Sequence, residues 1–182
     1  MYYESIDTPV INEEDLPWVP FDPYIDTAFI KLIKCDPVRG ETITLLKAPA
    51  GSSLPKHYCT GTVIVYTIKG AWKDIEHEWI SRQGGVVFET AGTSHTPLML
   101  AGYGDEVITL NIAQGDLLYY DENDNVCAIE SWKTAVQRYR SFCESHGIEV
   151  KDVTSFSVWP FPAIAAPSLT NKAITQARSV RP

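Results

Sequence analysis

The sequence predicts an all-β barrel or sandwich, and three observations carry that prediction. From about Thr27 the chain runs in short segments rich in β-branched and aromatic residues: 28–34, 41–47, 62–69, 71–80, 85–90, 106–112, 117–120 and 126–129. Gly, Pro and Asp break these segments at intervals of about ten residues, the rhythm of an antiparallel sheet folded over on itself. The length of 182 residues, 45% of them hydrophobic, suits one domain with its own core and would be tight for two.

Residues 1–26 carry several prolines and little alternation, so they read as an N-terminal arm anchored by Trp18 and Phe21. Residues 27–150 hold the barrel. Lys69-Gly70 is a tight joint between strands, and DEND at 121–124 is a polar hairpin tip. That tip is too short for an EF-hand and lacks its spaced ligands. One helix is signalled over residues 131–146. Ser131 suits the N-cap, Trp132, Val136, Tyr139 and Cys143 form an apolar stripe, and Gly147 is a C-terminal stop. The stripe is expected to pack on the outside of the β body. Residues 151–182 read as an extended tail with three prolines in VWPFPAIAAP.

Fifteen Lys and Arg against twenty-three Asp and Glu give a net charge of −8, which speaks against a nucleic-acid partner. The tail carries four basic residues and one Asp, so +3 sits on the tail and −11 on residues 1–150. Such a tail suits docking on the acidic body or on a neighbouring subunit, and a homodimer is expected. No run approaches the roughly 18–20 apolar residues of a membrane span, so no membrane association is expected. The N-terminus shows no basic segment followed by an apolar one, and a reducing, cytoplasmic setting is expected. The cysteines, Cys35, Cys59, Cys127 and Cys143, never form CxxC, which argues against a structural zinc cluster. All except Cys59 read as small buried hydrophobes.

Three of the four histidines, His57, His77 and His95, fall in one 39-residue window of consecutive expected strands. A lone histidine in a strand is more often a pocket or surface residue than a ligand. Here, however, His57 and Cys59 stand at i and i+2 and so project from one face. His95, from a later strand, could close on the same ion. Two imidazoles and a carboxylate suit non-haem Fe(II) with open positions. The origin of the carboxylate is open. Along 71–80, Trp72, Asp74, Glu76 and Glu78 share one face and Lys73, Ile75, His77 and Trp79 the other. On apolarity alone the second face looks inward, which would aim His77 at the metal and leave Glu76 in solvent; with Glu76 as the ligand instead, Asp74 and Glu78 read as rim or bulge residues. His146 fits a favourable helix C-terminus.

Gly51-x5-His57-x-Cys59 followed by Gly70 resembles the first cupin motif, and Gly84-x5-Thr90-x-Gly92-x2-His95 resembles the second, with Thr90 where proline is usual. With EDLPWVP (14–20), the stretch Gly70-Ala-Trp72-Lys-Asp-Ile-Glu76 and SWKTAVQRYRSFCESHGI, the chain resembles the 2,4'-dihydroxyacetophenone dioxygenase family over roughly residues 14–150. That resemblance implies a cupin double-stranded β-helix, or jelly-roll, barrel with an N-terminal arm and one packed C-terminal helix. It implies metal ligands at His57, Cys59, Glu76 and His95. Two departures stand out. Val63 occupies the place of the usual first-motif glutamate, and Cys59 stands where histidine is usual. A thiolate is softer and is readily oxidised beside Fe(II) and O2.

The reading that follows is a mononuclear metal-dependent cupin enzyme that works on a small-molecule substrate. The resemblance implies an Fe(II) dioxygenase that takes O2 and cleaves a C–C bond next to a carbonyl, in a small aromatic, hydroxyketone or diketone substrate. Trp72, Val63 and Met99 are the expected pocket residues. Cys59 motivates an alternative: a zinc-dependent, or other divalent-metal, lyase, isomerase or cyclase without redox chemistry. A non-catalytic cupin that senses a metal or ligand is the third.

Overall fold

A computed structural model describes residues 10–155. A 3-10 turn, Glu13–Asp15, opens these residues. The strands follow in chain order as β1 Val19–Pro20, β2 Phe29–Asp36, β3 Glu41–Pro49, β4 His57–Cys59, β5 Val63–Lys69, β6 Ala71–Asp74 and β7 Ser81–Arg82. The second half has β8 Val86–Glu89, β9 Thr93–His95, β10 Pro97–Met99, β11 Glu106–Gln114, β12 Leu117–Tyr120 and β13 Val126–Glu130, with helix α1 Trp132–His146 last. All pairings between these strands are antiparallel, in sheets ordered β1-β2-β3-β11-β5-β8, β10-β6-β7 and β13-β12-β4-β9. Side chains from all three sheets face one interior, a jelly-roll arrangement of the cupin type.

The expected strands form because alternation and partners agree. In β5, Val63, Val65 and Thr67 are buried while Tyr66 and Ile68 are exposed, and in β11 Val107 and Thr109 turn inward. Gly70 makes the joint after β5. Its φ of 76° and the 2.7 Å that would separate a Cβ from the Glu106 carbonyl oxygen leave no room for another residue. The polar tip at 121–124 closes the β12–β13 hairpin, and the Asp121 carboxylate accepts from the backbone N–H groups of Asn123 and Asn125.

The expected strand over 71–80 is shorter than its composition suggests. β6 stops at Asp74, where the Asp74 carbonyl accepts from the His77 N–H at 3.1 Å and turns the chain. Glu76 and His77 therefore lie past the strand, and the parity argument that divided them has no strand to act on.

The arm belongs to the core. Leu16, Val19 and Phe21 are buried, and β1 adds a strand to the large sheet. Trp18 is half-buried, with the ammonium groups of Lys31 and Lys47 at 4.8 and 4.6 Å from its ring. In α1, Ser131 caps the helix reciprocally with Thr134, and Gly147 ends it in the left-handed region. Its buried residues are Ala135, Tyr139 and Cys143. The helix reaches further in than an outer cover, because Ala135 lines the interior cavity. Cys35 and Cys143 are buried as expected; Cys127 is exposed. The expected tail lies outside the described residues from 156 onward.

The outward face of the large sheet is covered by Trp18 at its β2–β3 end and, among the described residues, is open at its β5–β8 end. Its outward side chains include Tyr66 and Ile68 on β5 and, on the edge strand β8, Val86 and Phe88, which are 62% and 64% exposed. No helix among the described residues is long and apolar enough to cross a membrane.

Candidate metal centre

Strand β4 is three residues long and aims His57 and Cys59 inward, both buried, with Tyr58 between them pointing away. It is held between β12 and β9, so that Tyr119 and His95 are the cross-strand partners of His57. The His57 Nδ1–H donates to the Pro55 carbonyl at 3.0 Å, which leaves Nε2 with its lone pair. Burial lowers the pKa of His57 and keeps the ring neutral. An imidazole whose second nitrogen is tied to a carbonyl is prepared for metal ligation.

The carboxylate beside this pair is Glu89. It is buried at the end of β8, and the Cys59 thiol donates to its Oε2 at 3.5 Å. Burial pushes the Glu89 pKa from 4.5 to about 7, and burial together with Glu89 pushes the Cys59 thiol well up. The ligand atoms of His57, Cys59 and Glu89 all lie within 4.8 Å of one another. The β5–β8 register explains how a residue outside the expected set arrives here. Glu89 is the cross-strand partner of Val63, the position where the first cupin motif usually carries its glutamate. Both side chains turn inward, so the carboxylate has moved one strand sideways and stays in the same region of space. The available signal was parity: in GVVFET, Glu89 shares its face with Val87, and a glutamate there is an oddity that calls for a partner.

His95 is buried next to this group, its ring centroid 6.3 Å from that of His57, and is held differently. Nδ1 contacts Asp74 Oδ2 at 2.9 Å and Nε2 contacts Thr93 Oγ1 at 2.7 Å. The hydrogen bond to Asp74 raises the His95 pKa. Asp74, expected at the rim, is fully buried, and its Oδ1 is the one buried side-chain oxygen without a partner among the described residues. Asp74, His77 and His95 form a second set whose ligand atoms lie within 4.8 Å of one another.

Glu76 stands apart from both sets. Its carboxylate accepts from the Thr96 N–H at 3.1 Å and the Thr96 hydroxyl at 2.6 Å. Burial pushes its pKa up, but the hydrogen bonds together outweigh it and hold the pKa below the usual range. His77 is exposed and stacks on Trp79. Of the four ligands implied by resemblance, the structure thus groups His57 with Cys59, sets His95 beside them, and directs Glu76 to Thr96.

A cavity of about 100 Å³ opens in front of the first set. Trp72, Val63 and Met99 line it together with His57 and Glu89. Trp72 is fixed by an Nε1–H donated to Thr67 Oγ1 at 2.9 Å and by an edge contact with Trp79. The donor set fits a divalent transition metal. It offers one imidazole nitrogen, one thiol and one carboxylate, with a second imidazole adjacent, at the wall of a largely apolar cavity.

A jelly-roll with an inward histidine pair, a buried carboxylate and a small cavity defines the metal-capable cupins as a class. The chain belongs to the family of ChrR cupin-like domains, whose model matches residues 7–117. Among solved structures it is similar to an RmlC-like cupin protein from Ralstonia eutropha, with 52% identity over 86% of this chain and 100% of that one, and a TM-score of 0.82. The fold is also shared with a protein of unknown function with a cupin-like fold from Ralstonia eutropha, at 16% identity over 86% and 97% of the two chains and a TM-score of 0.74. An acetylacetone dioxygenase from Acinetobacter johnsonii matches at 19% identity over 74% and 91%, with a TM-score of 0.63. No curated protein matches the chain.

Proposed function

We propose that this cupin is a mononuclear metal-dependent enzyme, an Fe(II) dioxygenase acting on a small ketone or diketone. The observation that carries the reading is the set His57, Cys59 and Glu89 on the wall of the cavity, with ligand atoms within 4.8 Å of one another. His57, Cys59 and Glu89 would hold the ion, with His95 as the adjacent imidazole; Glu89 takes the role first expected of Glu76. When bound, Fe(II) supplies the electron transfer to O2 and polarises a substrate oxygen. The chain's own residues do the rest. The Pro55 carbonyl holds the His57 tautomer, Asp74 orients His95, and Val63, Trp72 and Met99 keep water from the substrate. The size of the cavity favours the smaller substrates. The cavity measures about 100 Å³. A molecule the size of acetylacetone, the substrate named for the fold relative from Acinetobacter johnsonii, fits this limit better than an aryl hydroxyketone.

Cys59 supports a second reading, a zinc-dependent lyase or isomerase, since a thiolate ligand suits zinc and resists no oxidant. One experiment separates the two. Metal content is measured on the purified protein, and pentane-2,4-dione turnover is followed with and without O2. The dioxygenase reading expects one iron per chain, stoichiometric O2 uptake, and no turnover under anaerobic conditions. Equal anaerobic turnover with zinc bound would overturn it in favour of the second reading, and protein without any transition metal would sink both.

A further inference from the structure

The wall of the cavity made by β3 and β11 is polar where an apolar wall would pack at lower cost. Thr42 and Thr44 line it from β3, and Thr109 and Asn111 from β11. The register sets Asn111 opposite Thr44 on one side and Val65 on the other, so the polar residues are neighbours. Thr109 Oγ1 donates to Asn111 Oδ1 at 3.2 Å, which occupies the amide carbonyl and leaves the Nδ2 donors. Among the described residues, no side-chain hydrogen bond involves Asn111 Nδ2, Thr42 or Thr44, although Thr44 is 7% exposed. The Asn111 amide donors and the Thr42 and Thr44 hydroxyls are thus available to a molecule bound in the cavity.

The charges around the cavity restrict what that partner is. Among the described residues, its lining includes two glutamates, Glu89 and Glu130, and no lysine or arginine. Glu130 is already bonded by Arg138, from Nη1 at 2.9 Å, and by the Thr134 hydroxyl at 2.8 Å. Among the described residues, a carboxylate or phosphate would meet no protein cation on this lining. Position completes the argument. Asn111 and Glu89 are separated by the one strand β5 and by two residues of register, since Val65 is the partner of Asn111 and Val63 that of Glu89; the backbones are about 12 Å apart, a gap that two inward side chains and a molecule of a few bonds can fill.

We propose that Asn111, with Thr44 beside it, is a hydrogen-bond-donor subsite for the carbonyl oxygen of a small neutral ligand whose other oxygen lies at His57, Cys59 and Glu89. The subsite rests on the metal-centre reading for its second anchor. The ligand class is a neutral compound with two oxygen functions a few bonds apart.

The test uses the full chain and two probes, pentane-2,4-dione and butyrate, titrated calorimetrically, with Zn²⁺ affinity measured separately on each protein. Asn111→Leu is expected to weaken dione binding roughly tenfold, the effect of removing a buried donor from its acceptor. Asn111→Asp, which presents an acceptor instead, should weaken it at least as much. Thr44→Val, equal in shape, should weaken it about threefold and carries the test if the Leu variant does not fold. Zn²⁺ affinity should stay the same in all three. Unchanged dione affinity in Asn111→Leu and Thr44→Val would overturn the subsite, as would butyrate binding as tightly as the dione or the absence of dione binding to the wild type. Failure of the metal reading looks different: Zn²⁺ would not bind the wild type, while Asn111→Leu would still weaken the dione.

Discussion

His57 and His95 face one another across adjacent strands, yet their surroundings differ in kind. Around His57 the dominant influence is burial: the imidazole is neutral, the Cys59 thiol is pushed up, and Glu89 reaches about 7. Around His95 it is hydrogen bonding: a carboxylate on one ring nitrogen and a hydroxyl on the other hold the ring and raise its pKa. The first group carries desolvated donors with weak mutual bonds, which a cation would relieve. The second is already satisfied, apart from the orphaned Asp74 Oδ1. Two histidines from matching motifs thus contribute unequally, one as an available ligand and one as a fixed element beside it.

The sharpest way to break this contrast is Asp74→Ala. Removing one partner of a buried charged pair should cost roughly 3 kcal/mol of stability near pH 6. A His pKa raised in the folded state adds stability that is fully present below the unfolded value of 6.5 and is lost as pH rises through the folded value. The destabilisation should therefore shrink in alkaline solution, which urea unfolding across pH would show; a constant penalty would place the effect in packing.

Glu89→Gln should do the opposite. The folded protein holds the Glu89 proton more tightly than the unfolded chain, so stability falls as pH rises from 4.5 through about 7. The variant should lose that decline and gain up to roughly 3 kcal/mol above pH 7 in the absence of metal. Its metal affinity should fall by more than the 10–100-fold typical of groups that only support a ligand. A residue that weakens the fold and strengthens metal binding is functional; a variant that is less stable would mark Glu89 as structural.

Cys59→Ala should change stability by about 1 kcal/mol and abolish the thiolate-to-metal absorption band of Co²⁺-loaded protein. The same band in the variant would make Cys59 a bystander. Glu76→Gln completes the series with stability within about 0.5 kcal/mol of the wild type and unchanged metal affinity, since its carboxylate serves an exposed turn. A large loss of metal affinity would return Glu76 to the ligand set.

Local chemistry was legible wherever neighbours in sequence decide the outcome. The Ser131 cap, the Gly147 stop and the hairpin tip at 121–124 stand where their residues predict. His57 and Cys59 share a face because i and i+2 do so in any strand. What escaped was set by pairing between distant segments. β6 ends at Asp74 through a turn that alternation alone does not announce, so Asp74 is deep inside and Glu76 is outside. Glu89 meets Cys59 because β8 pairs with β5 in one register, and spacing along the chain carries no information on that register. The cupin motif carries its glutamate on the strand of Val63, whereas in this chain a carboxylate reaches the same region from β8.

Strand β8 has one further consequence. It is four residues long and, among the described strands, lies at the edge of its sheet with β5 as its single bonded neighbour. Phe88 stands in solvent on one side and Glu89 in the interior on the other, joined by one peptide unit. A plank fastened along one edge rocks as a whole, so whatever restrains the outer aromatic also steadies the inner carboxylate. The placing of this candidate ligand is therefore open to influence from the outer surface, through a residue that never touches the site.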